Sequence, residues 1–78
     1  MALPKQNSRK KRKAKEFIQR TSGNIKYYRV KRRLSQEKLE EETGLYIPRY
    51  ESGRHDMTLT TLYILSEYLR VRPFNLLK

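Results

Sequence analysis

LSQEKLEEETGLYIPRYESG, residues 34–53, decides how this chain folds. Ser35 precedes Gln36-Glu37-Lys38-Leu39-Glu40-Glu41-Glu42, a run of strong helix formers with acids in its first turn. A serine at that place accepts a hydrogen bond from a backbone amide that the first turn leaves unpaired, and the acids suit the positive end of the helix dipole. Replacing Ser35 by alanine is expected to cost about 1 kcal/mol. Thr43-Gly44 closes this helix, because glycine takes the left-handed C-cap conformation without steric cost. A further helical segment runs from Tyr46 to Ser52 and stops at Gly53. Pro48 must fall in its first turn, since deeper in it would lose a backbone hydrogen bond. Ile47, standing before the proline, is biased away from the helical region. That helix is therefore very short.

Downstream, Thr58 caps another helix, and Leu59, Leu62, Leu65 and Leu69 repeat every three or four residues as a core stripe. Pro73 suits the first position of a last helix carrying Phe74, Leu76 and Leu77. Upstream, Phe17, Ile18, Thr21, Ile25 and Tyr28 keep a helical spacing from about Ala14. Ser22-Gly23 interrupts it, and the reading is a break there, with Ser22 capping the second piece. Residues 1–13, MALPKQNSRKKRK, show no apolar periodicity and read as a flexible basic arm ahead of a helical domain over 14–78. No strand pattern or internal repeat is present. The chain reads as all-α.

Charge is the strongest compositional fact. The formal net charge is +11, and it is unevenly placed: residues 1–33 hold thirteen Lys and Arg against one acid, Glu16, while residues 34–78 are almost balanced. Such asymmetry is expected of a polyanion binder, because neutralising phosphates releases condensed counterions. A solvated tail is the plainer alternative. A membrane-surface helix is disfavoured, for the segment lacks the Trp/Phe/Leu stripe that one needs. Only 36% of the residues are apolar, so the core must be compact. Cysteine is absent, which excludes disulfides and cysteine-ligated zinc and fits a reducing cytoplasm. No apolar run is long enough to span a bilayer, and none follows the basic N-terminus as a signal peptide would require. A cytoplasmic protein is expected.

Four stretches together resemble the lambda-repressor/Cro-like helix-turn-helix family, also called the XRE family. Leu34-Ser35-Gln36-Glu37-Lys38-Leu39 looks like that family's opening of the second helix, and Thr43-Gly44-Leu45 like its turn. Ile47-Pro48-Arg49-Tyr50-Glu51-Ser52-Gly53 is similar to the end of its recognition helix. The pattern Thr58-Leu59-x-Thr61-Leu62-x-x-Leu65-x-x-x-Leu69-x-Val71 resembles its fourth helix. The likeness spans about Asn24 to Lys78. It implies a five-helix bundle that binds double-stranded DNA as a transcription regulator, with repression the expected mode. One departure stands out: between Gly44 and Gly53 the chain is three residues shorter than the family usually is, and the loss falls at the start of the recognition helix.

The resemblance also implies roles for individual residues. Arg49 is the first candidate for a base contact, since arginine donates two parallel bonds to guanine; a phosphate contact or a surface ion pair competes evenly with it. Tyr46 is a candidate for a thymine methyl, sugar or phosphate, against plain cover of the core edge. Gln36 matches a family position that bonds phosphate beside a helix N-terminus, against a capping side chain. Arg54 is a phosphate candidate in the following loop. Arg9, Lys10, Lys11, Arg12 and Lys13 are candidates for wrapping DNA or entering the minor groove. Arg29 and Glu51 align with a structural ion pair between the first helix and the recognition helix. Phe74, Leu76 and Leu77 lie near the surface through which family members pair, so a weak homodimer is expected.

Rival functions fare worse. No glycine-rich phosphate loop, no metal-ligand spacing and no nucleophile beside a base occurs, so neither an enzyme nor a cofactor, metal or small-molecule substrate is expected. His55 stands alone, and Glu40-Glu41-Glu42 reads as a solvated face. The alternative to a regulator is a protein-interaction, antitoxin or RNA-binding module on the same fold.

Overall fold

The computed structural model describes residues 6–78, with side chains from Arg9 onward. Five helices and no strand occur among these residues: α1 (Gln6–Lys31), α2 (Gln36–Thr43), α3 (Ile47–Glu51), α4 (Leu59–Leu69) and α5 (Pro73–Leu77). Ile25, Leu39, Ile47, Leu62, Leu65, Leu69 and Leu76 form a core to which every helix contributes. Tyr28, Leu34, Leu45, Tyr50, Met57, Val71 and Leu77 pack around it.

The local stops and starts follow side-chain chemistry. Ser35 is the N-cap of α2, its hydroxyl accepting from the Lys38 amide at 3.0 Å. Thr58 does the same for α4, accepting from the Thr61 amide at 3.1 Å. Gly44 closes α2 at φ +75° and donates its N–H to the Glu40 carbonyl. Pro73 opens α5. Two helices end without glycine: Arg33 and Arg70 both take φ +59°. At Arg70 the Val71 amide reaches the Ser66 carbonyl at 3.0 Å, which satisfies carbonyls that the helix end would otherwise leave bare.

Four sequence expectations need correction. The flexible arm over 1–13 is helical from Gln6 on, and residues 1–5 lie outside the described range. Lysine, arginine, alanine, glutamine and glutamate are all good helix formers, so this stretch needs no apolar stripe to continue a helix already fixed at its other end. The break at Ser22-Gly23 is absent. Ser22 is buried, Gly23 costs roughly 1 kcal/mol in a helix interior, and packing of Thr21, Ile25 and Arg29 on either side carries the helix across. Leu59 is 82% exposed rather than core, because the buried stripe of α4 runs through Thr61, Leu62, Leu65, Ser66 and Leu69. Leu76 is fully buried and cannot serve a dimer surface, which leaves exposed Phe74 and half-buried Leu77.

One consequence of the unbroken α1 is shape. Arg9 to Phe17 are all exposed, and Thr21 is the first fully covered residue. The amino-terminal turns project from the bundle, whose described residues measure 46 × 20 × 18 Å.

Candidate nucleic-acid interface

Helix α3 is too short to hold itself in place, since isolated helices below about a dozen residues are marginal. It has no side-chain cap at Tyr46, and Pro48 removes one donor from its first turn. Two tertiary anchors fix it instead. Ile47 is fully buried in the core. Glu51, its side chain 4% exposed, meets the Arg29 guanidinium in a two-pronged pair, Nε to Oε2 at 2.5 Å and Nη2 to Oε1 at 3.1 Å.

Other donors complete this cluster. Arg29 Nη1 donates to the Leu34 carbonyl at 2.7 Å, and the Gln36 side-chain amide donates to Glu51 Oε1 at 2.9 Å. One carboxylate therefore ties α1, the start of α2 and the end of α3 together. Removing one partner of such a buried pair leaves a charge with nothing to answer it, which costs about 3–5 kcal/mol.

With its inner face held, α3 turns its other side outward. Arg49 is exposed, and Tyr46 is 65% exposed. Among the described residues neither Arg49 nor Arg54 pairs with a carboxylate. The Ser52 hydroxyl shapes the exit from α3, donating to the Arg49 carbonyl and accepting from the Arg54 amide. Exposed Arg54 and His55 then begin the loop to α4. Gly53 crosses α1 so closely that a Cβ there would meet Gln19 Cγ at 3.2 Å, and its φ of +76° further restricts the position to glycine.

A helix, a turn at a left-handed glycine and a second helix locked by a buried ion pair form a helix-turn-helix. A family model described as helix-turn-helix matches residues 25–76. The chain belongs to that family. It is a lambda-repressor-like (XRE) helix-turn-helix protein, of a family of DNA-binding transcription regulators, with α2 and α3 as its two eponymous helices. No curated protein and no solved structure matches the chain. No described helix is long and apolar enough to cross a membrane.

In this helix-turn-helix protein the candidate residues fall into three groups. Tyr46, Arg49 and Arg54 share the exposed side of α3 and the loop after it. Gln36 stands at the first position of α2, behind the Ser35 cap, with its amide committed to Glu51. Arg9, Lys10, Lys11, Arg12 and Lys13 surround the projecting turns of α1, all exposed. Sequence reasoning missed the contact between Gly53 and Gln19. A glycine that closes a helix gives no sign of which neighbour it faces.

Proposed function

We propose that this protein is a repressor that reads a short duplex operator with α3 and grips flanking phosphates with its cationic residues. The observation that carries this reading is the presentation of Arg49 and Tyr46 on the outer face of a helix whose inner face is locked to the core. Arg49 contributes base recognition, and Tyr46 lies beside it for a sugar, phosphate or thymine methyl. Gln36 orients phosphate at the start of α2 while holding Glu51. Arg54 bonds phosphate after α3, and part of the cationic projecting turns of α1 adds contacts farther out. Repression follows from occupancy, since a bound domain excludes other proteins from the same stretch of DNA. The protein then works in the cytoplasm, as a weak homodimer on a palindromic site with Phe74 and Leu77 at its pairing surface.

Selection from random duplex DNA tests the reading. A single motif should emerge, bound on the order of 10³-fold or more above unrelated duplex. Arg49→Ala should then weaken the selected site by about 1–3 kcal/mol while leaving thermal stability nearly unchanged. Placed across a promoter, the selected site should lower reporter expression. The brevity of α3, five residues, favours a second reading, an RNA-binding or protein-interaction module that needs no deep groove entry. Preference for structured RNA over duplex DNA in competition would decide for it.

A further inference from the structure

The cationic side chains of α1 point in every direction, and a single helix cannot bring all of them to one duplex. The contact between Gly53 and Gln19 selects among them. The loop after α3 passes α1 at Gln19, so close that a Cβ on Gly53 would meet Gln19 Cγ at 3.2 Å and its Cα at 3.5 Å. The flank of α1 that carries Gln19 is therefore the flank that adjoins Arg54 and the outer end of α3. Residues one and two turns earlier on the same flank are Lys15 and Arg12, four and seven positions before Gln19. At 3.6 residues per turn both lie within about 40° of Gln19 around the helix axis. Both are exposed. Arg9 and Lys13 lie roughly 80–120° away around the axis, off this flank.

We infer that Arg54, Lys15 and Arg12 form one phosphate-binding strip, and that α1 is a helical outrigger extending the duplex footprint beyond α3. Arg12 stands about 10 Å along α1 from Gln19, which corresponds to about three base pairs of duplex. The ligand is the sugar-phosphate backbone of duplex DNA. Opposing charges nearby do not cancel the strip. Asp56 accepts a hydrogen bond from the Met57 amide and lines a groove with Phe17, Ile18 and Thr21, on another side of α1. Glu16 stands one turn after Arg12, on the side away from Lys15, but among the described residues it makes no ion pair with Arg12, and an exposed pair at that spacing is too weak to keep Arg12 from a phosphate.

This inference rests on the duplex-DNA reading above and sharpens it, and one experiment separates the two. Binding of the full chain to a labelled random-sequence duplex is measured across a salt series, for the wild type and two double variants of equal charge loss. Arg12→Ala/Lys15→Ala should make the slope of log K against log salt shallower by about 2, with affinity near 0.1 M salt falling on the order of tenfold or more. Arg9→Ala/Lys13→Ala should change the slope by less than one contact. Circular dichroism of the two variants should match, which excludes unequal loss of helix. Equal flattening by both pairs, or by neither, overturns the strip while leaving DNA binding intact. A wild type that binds no duplex overturns both readings.

Discussion

Helix α2 carries both of its ends in its own sequence, with Ser35 capping the start and left-handed Gly44 closing the finish. Helix α3, three residues farther on, has no side-chain cap at its start, and the left-handed Gly53 after it is seated against α1. The helix is five residues long, contains a proline and is placed by Ile47 and Glu51 against other parts of the molecule. The helix that presents Arg49 thus takes its position from tertiary structure, whereas the helix that supports it is specified locally. This division makes the presentation of α3 a property of the whole bundle. Loosening the core loosens the interface.

The largest expected effect breaks the tertiary side of that division. Glu51→Gln strips Arg29 of its counter-charge in a buried setting and should cost about 3–5 kcal/mol, read as a lower urea midpoint or loss of cooperative unfolding. A variant that melts like the wild type would show that α3 is held by Ile47 alone. Next comes the local side. Ser35→Ala removes one cap bond from α2 and should cost about 1 kcal/mol, visible as a modest drop in melting temperature. Were its cost equal to that of Glu51→Gln, the contrast between the two helices would vanish. The smallest effect gives α3 what it lacks. Tyr46→Ser offers a capping hydroxyl, but Pro48 has no N–H and the Arg49 amide already reaches the Tyr46 carbonyl at 3.2 Å. The gain should therefore be about 0.5 kcal/mol by thermal unfolding. It should be accompanied by weaker DNA binding if Tyr46 lies at the interface.

What the sequence disclosed follows the same line. Ser35, Gly44, Thr58 and Pro73 act within a turn of where they stand, and each was legible from residue type and spacing. The helical character of the turns before Phe17 is not legible from apolar periodicity, because this stretch buries no face. A run of good helix formers without Gly or Pro between Gln6 and Ser22 was the signal to use. Leu59 fitted the leucine spacing yet stands outside, since spacing alone cannot say which neighbouring helix covers the first turn. Leu76 looked available for pairing, but the Asn24 side chain donates to its carbonyl at 3.0 Å and the core encloses its side chain. The Arg29 and Glu51 assignment came from family likeness alone. The bond from Gln36 to the same carboxylate and the seat of Gly53 on Gln19 are contacts between distant parts of the chain, with no local signature.

The unsupported start of α1 has a consequence for solution behaviour. Arg9 faces Lys13 and Lys11 faces Lys15 at one-turn spacing, with no acid in the first turn to offset the positive end of the helix dipole. Those turns repel themselves, and dissolved anions relieve the repulsion. Added salt should then tighten the free helix, seen as rising ellipticity, while the same salt drives the protein off nucleic acid. A polyanion would act on the free helix as concentrated salt does, so binding and the ordering of these turns would reinforce one another.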